Sequence, residues 1–198
     1  KITSFNKFIQ LCAARTGQML NYSDLARDAD ISVHAAKEWL NILVSSFQVY
    51  LLEPYYKNIS KRMIKAPKLY FLDTGLAAYL TRWKTPETLF SGAMAGAFFE
   101  SFVVSEIIKS YWHRGENPPI YYLRDKEGHE IDLVIERDNV LYPVEIKMSS
   151  SVQEKDLKNI KYYREKISNM GKGAIVSLAQ NHLPLDREDE LIPVTLIN

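Results

Sequence analysis

Residues 130–147 read Glu130-Ile131-Asp132-Leu133-Val134-Ile135-Glu136-Arg137-Asp138-Asn139-Val140-Leu141-Tyr142-Pro143-Val144-Glu145-Ile146-Lys147. Apolar and polar residues alternate on both sides of Asp138-Asn139, the pattern of two half-buried strands. Asp-Asn is suited to a two-residue turn, because both residues tolerate positive φ. That turn sets the register. Ile131 faces Ile146, Leu133 faces Val144 and Ile135 faces Tyr142, which gives one apolar face. On the other face Asp132 lies opposite Glu145, and Glu130 opposite Lys147. Two opposed carboxylates sit roughly 5 Å apart at Cβ and repel. A divalent cation removes that repulsion, and Mg²⁺ is commonly held by one or two carboxylates, waters and phosphate oxygens. Lys147 points the same way as Glu145 and suits orienting a water or stabilising negative charge. The bland alternative is a solvated sheet face with a surface ion pair of little value.

Strands and helices extend outward from this hairpin. Ile120–Arg124 precedes it as a strand. A polar helix over 153–169, a buried strand over 174–178 and a last strand over 191–197 follow. An apolar helix spans 94–112. This is an α/β layout with a mixed sheet. On the helix, Glu100 shares a stripe with Val104, Ile107, Ile108 and Tyr111, and is a candidate further metal ligand. Tyr162, Tyr163 and Lys161 are candidates to flank the site.

The first part of the chain is different. Phe5, Phe8, Ile9 and Cys12 recur at helical spacing. Asn21 or Ser23 can cap a second helix. Ser32 caps a third, whose buried stripe is Ala35, Ala36, Trp39, Leu40 and Leu43. Strands at 49–52 and 68–72 follow. Three helices and a two-stranded ribbon make a winged helix-turn-helix pattern. The boundary is expected near residue 73, giving domains 1–73 and 74–198. The segment between the two strands carries Lys57, Lys61, Arg62, Lys65 and Lys68 and no acid over 57–68. Five phosphate contacts there would give a salt slope of about −4.5 on a log–log scale. His34 and Lys37 on the third helix are further candidates to reach DNA. Base-reading residues are few beside Glu38, so sequence-specific readout is not expected.

Composition sets limits. The 198 residues are 46% hydrophobic and 25% charged, with net charge +1. Any nucleic-acid affinity must therefore come from local patches. The single cysteine, Cys12, offers neither a disulfide nor a zinc site. No apolar run approaches the about 18 residues of a membrane span. A cytoplasmic protein with no membrane partner is expected. The chain starts at Lys1 rather than Met, as a fragment does. No phosphate-binding loop of the Gly-x-x-x-x-Gly-Lys-Ser/Thr type is present. The histidines (34, 113, 129 and 182) lack zinc spacing.

Five blocks occur in order: Leu69-Tyr70-Phe71-Leu72-Asp73-Thr74-Gly75-Leu76, Gly96-Ala97-Phe98-Phe99-Glu100, Tyr121-Tyr122-Leu123-Arg124-Asp125, Glu130-Ile131-Asp132-Leu133-Val134 and Tyr142-Pro143-Val144-Glu145-Ile146-Lys147. Together they resemble the C-terminal part of a large family of bacterial and archaeal AAA-type ATPases. The resemblance implies a winged helix joined to a restriction-endonuclease-like, PD-(D/E)XK domain. It implies Asp132, Glu145 and Lys147 as the catalytic set, with Glu100 as the helix acid and Mg²⁺ or Mn²⁺ as cofactor. Ile131 departs from the proline of that pattern. It also implies a partner, the protein's own N-terminal ATPase module, which would bind the ATP and lies outside this chain. DNA is the expected ligand. Two alternatives stand beside a nuclease: a non-catalytic nuclease-fold module that binds DNA or protein, and a winged-helix transcription regulator.

Overall fold

The computed structural model describes residues 2–55 and 64–197. The chain divides into two compact units, Lys1–Leu52 with Ala66–Ser105, and Glu53–Lys65 with Glu106–Asn198. The fold is mixed α and β, and the larger sheet is mixed. Among the described residues no helix is long and apolar enough to cross a membrane.

In the first unit, α1 (Ile2–Ala13), α2 (Tyr22–Ala29) and α3 (Val33–Ser45) are joined by short turns. The Asn21 side chain accepts the N–H groups of Ser23 and Asp24, which settles the cap of α2. Asp30 ends α2 at φ 57°, and Ser32 Oγ accepts the Ala35 N–H to start α3. Phe8, Cys12, Leu25, Leu40, Leu69 and Phe71 form the core. Trp39 packs edge-on to Phe5 and Phe8 at 5.3 and 5.5 Å. Full burial of the Phe8 ring contributes about 1.5–3 kcal/mol. A sheet forms from β1 (Gln18–Met19), β2 (Val49–Leu52) and β3 (Lys68–Phe71), in the order β1-β3-β2 and antiparallel throughout. The strand β1 is not anticipated by the sequence pattern, being two residues long.

The expected boundary near residue 73 is displaced. Helices α4 (Thr74–Leu80) and α5 (Pro86–Phe90), and α6 (Ala95–His113) as far as Ser105, belong to the first unit. The reason is packing: Leu76, Ala77, Leu80, Trp83, Leu89, Met94 and Phe98 all join the first core. Buried Thr16 ties these parts together. Its Oγ1 accepts the Phe71 N–H and lies 2.7 Å from Ser101 Oγ.

In the second unit, β4 (Ile120–Arg124), β5 (Glu130–Arg137) and β6 (Val140–Lys147) form an antiparallel meander. Strands β7 (Gly173–Ser177) and β9 (Asp189–Pro193) continue it in parallel, and β8 (Leu183–Pro184) closes the edge. The last strand is thus two residues earlier at its start than expected and ends in a 3₁₀ turn at Val194–Leu196. The parallel β6–β7 pair requires a crossover. It is supplied by a 3₁₀ turn at Glu154–Leu157 running into α7 (Lys158–Arg164). Leu157, Ile160, Tyr163 and Ile167 pack on Leu123, Ile131, Val134, Leu141 and Ile175 of the sheet.

Candidate functional site

The β5–β6 hairpin turns through Asp138 (φ 52°) and Asn139 (φ 61°), and its ladder pairs Arg137 with Val140, Ile135 with Tyr142 and Leu133 with Val144. The register is the expected one. It stops at Leu133–Val144, however, and the expected Ile131–Ile146, Asp132–Glu145 and Glu130–Lys147 pairs do not form part of the ladder. The cause lies on the other edge of β5. Tyr121 pairs with Val134, whereas Leu123 pairs with Ile131, so β5 spends one extra residue there. This is a β-bulge at Asp132-Leu133. It swings Ile131 to the face of Val134, under α7.

The bulge re-aims Asp132. Its Oδ2 accepts the backbone N–H of Ile146 at 2.8 Å, taking the place of a ladder carbonyl. Glu145 follows one residue before Ile146 on β6 and is only 1% exposed. It pairs in register with Ile175, so it faces α7. A buried carboxylate needs hydrogen bonds, and Glu145 has them. Lys147 Nζ donates to Oε2 at 2.9 Å, and Asn159 Nδ2 on α7 donates to Oε1 at 3.3 Å. Burial alone would depress the Lys147 ammonium. Glu145, Asp132 and Asp156 outweigh that and hold it above the ordinary lysine value. The structure therefore brings Asp132, Glu145 and Lys147 into one electrostatic unit.

Asn159 and Asp156 escaped the sequence reading. Neither forms a motif with the hairpin, and only the crossover brings α7 over β6. Asp156 also accepts the Gln153 N–H at 2.9 Å and so starts the helical turn.

Glu100 lies in the first unit, where it accepts hydrogen bonds from Lys68 Nζ at 2.9 Å and Tyr70 OH at 2.5 Å. Lys68 is 3% exposed, because β3 is buried along its whole length. Its ammonium faces Glu100 rather than solvent, so it does not suit contact with a phosphate backbone. Lys65 is exposed, as are His34 and Lys37 on α3. Lys37 sits 5.5 Å from the Tyr22 ring centre, and His34 is 3.9 Å from Glu38. Lys57, Lys61 and Arg62 lie outside the described residues.

The two tyrosines of α7 have partners at the β4–β5 turn. Tyr163 OH donates to the His129 carbonyl at 2.9 Å, and burial pushes its phenol well up. Tyr162 OH donates to Asp125 Oδ2 at 2.7 Å, and its ring stacks on His129 at 3.7 Å. Lys161 pairs with Glu154 at 2.6 Å. Asp125, Glu127 and His129 bring their potential ligand atoms within 4.8 Å of one another. Both Asp125 oxygens are already engaged there: Oδ1 by the N–H groups of Glu127 and His129, Oδ2 by Tyr162 and the His129 ring. Burial opposes ionisation of Asp125, but these bonds prevail and keep its carboxyl below the usual range.

Residues 95–197 match the model of the family described as Domain of unknown function (DUF4143). The chain belongs to this family. Residues 1–87 match a second model, Domain of unknown function (DUF8612). Among curated proteins, the chain is similar to an uncharacterized protein of Mycobacterium tuberculosis, Rv2008c, and to one of Mycobacterium bovis, Mb2031c. Each is 32% identical over 135 residues, which is 68% of this chain and 30% of the relative. The chain thus spans under a third of the length of the curated relatives it matches. No solved structure matches the chain.

Proposed function

We propose that this DUF4143 chain is a DNA-binding, metal-dependent nuclease-like part of a longer AAA-type ATPase. The observation that carries the reading is Glu145, a carboxylate 1% exposed, joined to Lys147 two residues later and flanked by Asp132 on the preceding, bulged strand. Hydrophobic residues would be the ordinary choice for a sheet face packed under a helix, and an ion pair there adds little stability over them. A PD-(D/E)XK centre supplies a reason for its presence. The capped α2–turn–α3 element and the ribbon of β2 and β3 support a winged helix in the first unit.

The donor set suits the cation. Asp132 and Glu145 offer hard carboxylate oxygens, which match Mg²⁺ or Mn²⁺ with waters and phosphate oxygens completing the shell. A bound ion would polarise a phosphate oxygen and lower the pKa of an attacking water. Lys147 carries a full positive charge beside this position and would steady charge on the phosphoryl oxygens. Asn159 would hold Glu145 in one orientation. In such a hydrolysis the water oxygen would bond to phosphorus as the bond to the leaving oxygen breaks, the attacking water giving up one proton to bulk water and the leaving oxygen taking one from it.

The test is cleavage of plasmid DNA with Mg²⁺ or Mn²⁺ by wild type, Asp132→Ala and Lys147→Ala. Cutting by wild type alone is expected. Equal activity in all three removes these residues from the mechanism.

A second reading for the first unit has its own support. Ile42 on α3 is 55% exposed, with exposed Glu38 one turn before it, and Phe47 just past the helix end is 66% exposed. An apolar, partly acidic surface suits a protein better than a phosphate backbone. This reading predicts protein binding through α3 with weak, salt-insensitive affinity for random duplex.

A further inference from the structure

We propose that Lys147 is a resident competitor for the divalent cation: it occupies the Glu145 oxygen that the metal must take, and substrate phosphate draws it away. The proposal rests on the nuclease-like reading and concerns how that site loads.

Glu145 has two oxygens and both are engaged. Oε1 is held by Asn159 and Oε2 by Lys147. The two donors differ in freedom. Asn159 sits on α7, whose last residue, Arg164, is clamped to the wholly buried Asp189 of β9. Lys147 is 38% exposed along its side chain, on a flexible stem that reaches solvent. Oε2 is therefore the oxygen that can be vacated, and the ammonium is the group that moves.

Charge argues the same way. Asp132, Glu145 and Asp156 all act on Lys147. With the ammonium in place, part of the negative potential that attracts a dication is cancelled at closest range. A phosphodiester offers the ammonium an alternative anion. Metal and phosphate then bind cooperatively, because the phosphate relieves the competition, and such coupling is reciprocal.

The test uses the whole chain, Mn²⁺ alone as first probe, and isothermal titration calorimetry. A short duplex with phosphorothioate linkages, which resists cleavage, is the second probe. Lys147→Met is expected to bind Mn²⁺ about tenfold or more tightly than wild type, since a full charge is removed next to the ion. Asp132→Asn is expected to weaken binding in both backgrounds. The duplex should tighten Mn²⁺ binding by wild type more than that by Lys147→Met, in which only direct coordination by phosphate oxygens remains. Lys147→Gln, which loses the charge but retains a donor for Glu145, should bind Mn²⁺ more tightly than wild type and less tightly than Lys147→Met, and serves if the latter melts below wild type. Equal or weaker Mn²⁺ binding by both folded variants overturns the competitor role; if Asp132→Asn still abolishes binding, the nuclease-like reading survives it. Absence of Mn²⁺ binding in wild type and both Lys147 variants overturns both.

Discussion

Arg164→Met should destabilise the second unit severely. Arg164 Nη1 donates to Asp189 Oδ2 at 2.9 Å, and Nη2 reaches Oδ1 and the Gly171 carbonyl. The Asp189 side chain is 0% exposed, and its remaining donor is the Gly173 N–H at 2.8 Å. Removing the guanidinium leaves a buried carboxylate with a single backbone partner. Breaking a buried pair this way costs about 3–5 kcal/mol. A domain is stable by about 5–15 kcal/mol in total, so the loss is a fifth of that or more. With a urea slope of about 1–3 kcal/mol per molar, the midpoint falls by roughly 2 M. Urea unfolding followed by circular dichroism measures the total. Amide exchange then locates it: β7 and β9 should lose protection while α3 keeps it. Lys161→Met, which removes solvent-accessible pairs with Glu154 and Asp186, is the control and should shift the midpoint far less. The double variant Arg164→Met with Asp189→Leu should recover most of the loss, since an apolar pair replaces the ionic one. A loss below about 1 kcal/mol, the worth of a surface pair, refutes the clamp.

Three further outcomes are expected. Gly173→Ala would put a Cβ 2.6 Å from Asp189 Oδ1, which Arg164 holds in place, and 3.1 Å from Ile160, and should cost about 1–3 kcal/mol in the same urea assay. Cys12 is wholly buried, and burial pushes its thiol up to about 12, so a thiol reagent at pH 8 should label it only after unfolding; labelling at the rate of a free thiol would contradict the packing. Asp125 is held below the usual carboxyl range, so its contribution is present above about pH 4, the unfolded value, and is lost as pH falls through its lowered folded value. Asp125→Asn should therefore be less stable than wild type at pH 7, and the gap between the two urea midpoints should narrow as pH falls below 4; a gap that stays constant or widens on acidification counts against this.

The hairpin was legible because its information is local. Asp138 and Asn139 adopt the positive φ that their residue types tolerate, and alternation then selects the register. The bulge was not legible. Ile131-Asp132-Leu133-Val134 alternates acceptably in either phase, and the choice is made by β4 on one edge and α7 above. Long-range partners were hidden for the same reason. Lys68 completes a run of cations in the sequence, yet its partner Glu100 is 32 positions away, and strand β3 buries both its faces. Asn159 and Glu145 are separated by 14 positions and meet only through the crossover. The boundary was misplaced because α6 is apolar around much of its circumference and no Gly, Pro or polar break marks Ser105.

The hydrogen bond from the Ile146 amide to Asp132 has a practical consequence. In an ordinary ladder that proton would answer to a backbone carbonyl, whose charge never changes. Here it answers to a carboxylate at the centre of the site. Its nitrogen and proton resonances thus report changes in charge at the Asp132 carboxylate. One cross-peak from selectively labelled isoleucine would follow the arrival of a cation, or of a phosphate that rearranges the acids, without any substitution in the site.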